Sequence, residues 1–211
     1  MPMKAIQNKK MISSSDTKYI LNVSFPKSKY VGKQDISYAG NILKQAESTW
    51  SNSSVPTLSI LKVANWFLYH SSMSDKKLQK LCYYAYSWYI VFFNDPEVVV
   101  DDEFHVLFTD RFEAWVHGPV CRVLYNKYRG YGWKDIPKVE IQPKFDEDIN
   151  DLLNQVLSAY GQFNADQLER LTHSEDPWIK ARKGLAPGEP CSNTISPKDI
   201  FEFYSAKLLN E

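Results

Sequence analysis

Few residues in the chain have types and spacing that suit chemistry. Cys121 stands four positions after His117, a thiol and an imidazole that in the right geometry make a nucleophile and its base. Gly118 and Pro119 turn the chain between them, however, and Cys121 falls on the edge of an apolar helical face, so its expected state is a core thiol. Asp101, Asp102 and Glu103 form an acidic run able to chelate a hard cation, yet a short acidic loop is ordinarily just hydrated. His173, in LTHSEDPW, lies where two helices should meet and is read as satisfying a backbone group there rather than as a catalyst. Cys82, Cys121 and Cys191 lie far apart with no CxxC pair, which gives no zinc-ligand spacing. P-loop, GxGxxG, HExxH and GxSxG motifs are all absent, so no catalytic residue, cofactor or metal is assigned.

Aromatic residues are the chain's distinctive feature. Tyr83, Tyr84, Tyr86, Tyr125, Tyr128, Tyr131 and Trp133 gather about two predicted helices, and tyrosine, tryptophan and arginine dominate interface hot spots. Those in YNKYRGYGWK, residues 125–134, interleave with cations that must reach water, which suits an interface or a base-stacking platform better than a core. The partner-binding surface is therefore placed on Lys77, Lys80, Tyr84, Tyr125, Arg129 and Tyr131. Lys77, Lys80 and Tyr84 share a helical row distinct from the stripe of Leu78, Leu81 and Ala85, and are expected to face outward. Tyr125 and Arg129 likewise share one face. Against a basic partner, Asp101, Asp102 and Glu103 would take the role instead.

The element that must position these groups is residues 74–93, SDKKLQKLCYYAYSWYIVFF. Ser74 is a suitable N-cap and Asp75 favours the positive end of the helix dipole, so one long helix is predicted. Its circumference is mostly apolar or aromatic, as expected of a helix at a domain centre. The apolar part, 81–93, is shorter than the roughly 18 to 20 residues that span a bilayer. A helix over 59–70 precedes it, with Ile60, Val63, Ala64 and Phe67 inward. After a loop across 98–108, FEAWV at 112–116 is a brief strand or an extended approach to Gly118. Pro119 then opens a helix to about residue 129, with Val120, Val123, Leu124 and Tyr128 inward. Residues 136–141 are at most an edge strand. Phe145, Ile149, Leu152, Leu153 and Val156 mark another helix, Asn164 and Ser174 cap two short ones, and Ser196-Pro197 opens the last, through residue 209. The expectation is a mainly α fold of about seven helices with a central buried helix and minor short strands.

Lysine plus arginine equals aspartate plus glutamate at 25 each, so no global field draws nucleic acid or an anionic membrane. Residues 1–56 differ, with ten serines, eight lysines, three acidic residues and no arginine. This polar segment, with a short strand over 19–25 and a short helix over 36–46, reads as an extension, and residues 57–211 as the folded domain. Scattered cysteines and a first stretch without an apolar run predict a cytoplasmic protein.

SILKVANWFL, KKLQKLCYYAYSWY, FEAWVHGPVCRVLY and LTHSEDPW, in that order, resemble the Panacea (SocA-like) domain of bacterial and phage antitoxins. The match runs from about residue 57 to 209 and is most specific in LQKLCYY and AWVHGPV. His117 stands where the family often has an aromatic, and the first segment matches no DNA-binding module. The resemblance implies a helical, non-enzymatic antitoxin that neutralises a cognate toxin by direct contact, the toxin being an alarmone-synthetase-like enzyme that pyrophosphorylates tRNA or a ribosome-dependent mRNase. It makes Leu78, Leu81, Trp115, Gly118, Pro119, His173 and Trp178 structural motif residues. Two other readings stay open: a protease adaptor or phage anti-defence protein using the same surface, and an enzyme using Cys121 or the acidic loop.

Overall fold

The computed structural model describes residues 58–94 and 103–209. The segment 1–56 with its expected strand and helix, and Asp101 and Asp102 of the acidic run, lie outside the described residues. Among those described there are seven α-helices and two short antiparallel strand pairs, the mainly α architecture expected.

Helix α1 (Ile60–His70) starts at Ser59, whose side chain accepts from the Leu61 N–H, and buries Ile60, Val63, Ala64 and Phe67. Strand β1 (Met73–Ser74) leads directly into α2 (Asp75–Phe92), with Ser74 as N-cap. Twelve of the eighteen residues of α2 are buried, too many for a one-sided surface helix. Helices α1, α4 (Glu147–Tyr160), α5 (Ala165–His173) and α7 (Pro197–Leu209) pack around it, together with strand β3 (Gly118–Cys121). Asn94, just past α2, donates to the Ile90 carbonyl at 2.9 Å and bonds both backbone groups of His105.

Strands β2 (Phe112–Trp115) and β3 (Gly118–Cys121) form a hairpin about a two-residue turn, Val116 and His117. This corrects the expected helix start at Pro119. Pro119 sits in β3 opposite Ala114, Gly118 takes the left-handed φ of +93° at the turn, and helix α3 (Arg122–Tyr128) begins only after Cys121. A short 3-10 turn, Arg129–Tyr131, follows, then β4 (Asp135–Ile136), paired antiparallel with β1. Val123, expected inward on the longer helix, is 42% exposed. On the other side of the hairpin, residues 193–195 add to β2: the Ala114 N–H donates to Asn193 and the Ile195 N–H to Phe112.

The later helices follow their caps. Asp146 caps α4 through the Ile149 N–H, and Asn164 with Gln167 forms a reciprocal capping box on α5. Glu175, not Ser174, is the N-cap of α6 (Asp176–Ala181), one residue later than expected. Glu175 is buried among tyrosines, and its carboxylate accepts from Tyr204 at 2.8 Å and Tyr84 at 3.3 Å. Tyr84 itself stacks flat on Tyr160 with ring centroids 3.8 Å apart, so α2, α4, α6 and α7 meet at one aromatic and polar knot. No helix among the described residues is long and apolar enough to cross a membrane.

Candidate functional site

The burial of α2 redraws the predicted surface. Lys80 and Tyr84, placed outward by their helical row, are buried at 1% and 0% exposure. A polar row faces water only on a helix with an open side, whereas α2 is covered on that side too. Lys80 reaches β3, its Nζ donating to the Pro119 carbonyl at 3.0 Å, and burial lowers its ammonium to about 7. Lys77 is half-buried, and its Nζ donates at 2.7 Å to Gly161, the C-cap carbonyl of α4, where a cation meets the negative helix end. Leu78 and Leu81 are in the core as expected, and Glu103 is exposed.

Beside Lys80, Gln79 completes the outer edge of β3. Its Oε1 accepts from the Cys121 N–H at 2.9 Å and its Nε2 approaches the Cys121 carbonyl at 3.4 Å. Two side chains of one helix therefore do the work of a missing neighbouring strand, and Pro119, which has no N–H, asks for a single bond. Cys121 is buried and burial raises its thiol, the opposite of an activated nucleophile. His117 lies in the exposed turn, its Nδ1 3.0 Å from Glu169, which also pairs with Lys76 at 2.7 Å.

The hairpin's two faces alternate. Phe112 and Ala114 go inward, while Glu113 and Trp115 are half-buried on the outer face. The Trp115 indole N–H donates to Glu113 at 2.8 Å, Arg122 pairs with the same carboxylate and covers the Trp115 ring, and Tyr125 meets that ring edge-on at 4.9 Å. Burial alone would raise the Glu113 carboxyl, but Arg122 and Trp115 hold it below the usual range. Next to this cluster is a largely apolar groove of about 540 Å³, lined by Trp115, Val116, His117, Val120, Arg122, Pro190, Cys191 and Ser192.

The groove's far wall is fixed by Arg182. Its guanidinium donates to the Ala114 carbonyl at 2.8 Å and the Glu189 carbonyl at 2.6 Å and lies over the Trp178 ring. Trp178 in turn donates its indole N–H to the Trp115 carbonyl at 3.0 Å and stacks on His173 at 4.1 Å. His173 was expected to satisfy a backbone group. Instead it packs as a neutral ring, burial lowering it to about 4, with Nε2 unpartnered among the described residues. Trp115, Tyr125, Gly118, Pro119, His173 and Trp178 are thus brought together about the hairpin. Arg129 and Tyr131 lie on the exposed 3-10 turn beyond it. Sequence reasoning missed Gln79, Arg122, Arg182 and residues 190–192. The Glu113/Trp115 alternation, followed by arginine, was the available signal for Arg122.

Buried Cys82 and Cys121, a neutral stacked histidine and a largely apolar groove beside Arg122 are what this helical scaffold presents. The family model described as "Antitoxin SocA-like, Panacea domain" matches residues 78–179. Antitoxin SocA of Caulobacter vibrioides (strain NA1000 / CB15N) is 30% identical over 156 residues, 64% of this chain and 76% of that protein. The chain belongs to the SocA-like, Panacea-domain antitoxin family. That is a family of antitoxins, not of enzymes. No solved structure gives a significant match.

Proposed function

We propose that this protein neutralises a cognate protein toxin by forming a stoichiometric complex with it, and that the outer face of the hairpin is the contact. The observation that carries the reading is the groove beside Trp115. An apolar hollow lined by Trp115 and Arg122, with Tyr125 against the edge of the Trp115 ring, offers the aromatic and arginine anchors that concentrate binding energy, on a frame held from behind by Arg182, Trp178 and Gln79. A toxin that handles nucleotides or tRNA, of the alarmone-synthetase-like or ribosome-dependent mRNase kind, remains the proposed class. Residues 1–56 are proposed as an extension of the domain over 57–211, and Glu103 with Asp101 and Asp102 as a second contact if the toxin's face is basic.

The test starts from the genes on either side of this one, each expressed alone in cells: one of them should arrest growth. Co-expression of the wild-type chain should restore growth, and Trp115→Ala combined with Arg122→Glu should abolish protection while the protein stays folded and abundant. Full protection by that variant would remove the hairpin from the interface. If protection is lost when a cytoplasmic protease is deleted, although the complex still forms, delivery of the toxin to that protease replaces blocking.

A further inference from the structure

We infer that the chain pairs with a second copy of itself through the strip that joins the 3-10 turn to β4 and runs on to residue 141. This strip carries a projecting knob. Trp133 is 86% exposed, although its flanks are well held: the Gly132 N–H donates to Arg129, the Lys134 N–H to Tyr131, and β4, pinned to β1, begins two residues later. An indole fixed in that manner in water is ready to be buried without loss of loop freedom.

The same strip carries a receptacle. Tyr69, His70, Lys138, Val139 and Glu140 line an open hollow of about 550 Å³, roomy for one indole, and the strip is tied to α1 there by the Val139 N–H bonded to Leu68. Ile141, 83% exposed, stands at its rim in sequence. Charges match across the two parts. Lys134 adjoins the knob and Glu140 lines the hollow, and neither forms an ion pair among the described residues. Lys138 is placed to lie over an indole entering between it and Tyr69.

A second copy is the occupant these features select, because knob and hollow, lysine and glutamate, sit on one strip of one chain. A two-fold axis would seat each Trp133 in the other chain's hollow and set each Lys134 against the other Glu140. Any other partner uses half of the arrangement.

Sedimentation equilibrium of the full chain tests this without a toxin. The expected result is a reversible monomer–dimer equilibrium that weakens in about 0.5 M salt. Trp133→Ala should weaken the dimer by about tenfold or more, and circular dichroism should show the variant folded, since so exposed a side chain supports no core. Lys134→Glu alone and Glu140→Lys alone should each be monomeric, since both put like charges opposite each other twice. Mixed together they should form a heterodimer, in which both contacts are again of opposite sign. A wild-type chain that stays monomeric at the highest concentration overturns the inference, as does an unweakened Trp133→Ala dimer or a mixture that fails to pair. None of these outcomes touches the toxin-binding reading, whose anchors Trp115, Arg122 and Tyr125 lie on the hairpin and in α3.

Discussion

The Gln79 carboxamide grips both backbone groups of Cys121, accepting its N–H at 2.9 Å and facing its carbonyl at 3.4 Å, across 42 residues of chain. Leucine at this position would keep the volume and leave the Cys121 N–H buried and unpaired, whereas its carbonyl, at the N-cap of α3, still accepts the first helical bond. Gln79→Leu should therefore cost roughly 1 to 3 kcal/mol, read as a lower urea midpoint at unchanged slope. A change within the error of extrapolation would show that β3 is held by its hairpin partner alone.

Gly118 and Gly132 separate two costs of adding a methyl group. Both have positive φ, but a Cβ on Gly118 would meet Lys80 Cε at 2.6 Å and Thr172 Oγ1 at 2.7 Å, whereas one on Gly132 meets nothing within 4 Å. Gly132→Ala should lose about 1 kcal/mol from backbone strain. Gly118→Ala should lose clearly more, about 2 to 4 kcal/mol, because the buried Lys80 stem must also move. Equal losses in thermal melts would contradict the close packing of turn, α2 and α5.

How much of this was legible varies by residue. Ser59, Ser74, Asn164 and the apolar runs behind them mark helices locally, and those helices stand where the sequence places them. The Gly118-Pro119 pair reads as a helix entrance, because its strand partners are completed by Gln79 and Lys80, which no local pattern connects to it. The row of Lys77, Lys80 and Tyr84 failed for the same reason: periodicity separates the faces of a helix but does not say how many are covered. Arg122 and residues 190–192 come together only through the register of residues 193–195 on β2 and the grip of Arg182 on the preceding loop.

Two buried ionisable groups give opposite pH slopes. Burial raises the Glu175 carboxyl to about 7 from an ordinary 4.5, so between these values the unfolded chain releases a proton the folded chain keeps. Stability from this group falls as pH rises through that window and is flat above it. Glu175→Gln should remove the slope, its advantage over wild type growing from pH 4.5 to 7 by on the order of 3 kcal/mol. Lys80, lowered to about 7 from 10.5, works the other way: its contribution rises with pH between 7 and 10.5, and Lys80→Met should flatten that limb. A variant-minus-wild-type difference independent of pH would show these groups charged at neutrality.

Cys121→Ser should protect cells as well as wild type while losing about 1 to 3 kcal/mol, because a hydroxyl replaces a buried thiol that the proposed binding does not use. A folded variant that fails to protect would return the thiol to the function.

Isothermal titration of the purified full chain into the purified toxin tests direct neutralisation at the hairpin. The expected result is one saturable complex with one toxin per chain, weakened by about 2 kcal/mol or more in Trp115→Ala and in Tyr125→Ala. A wild-type titration without heat or complex would contradict neutralisation by contact, and undiminished affinity in both variants would contradict its place on the hairpin.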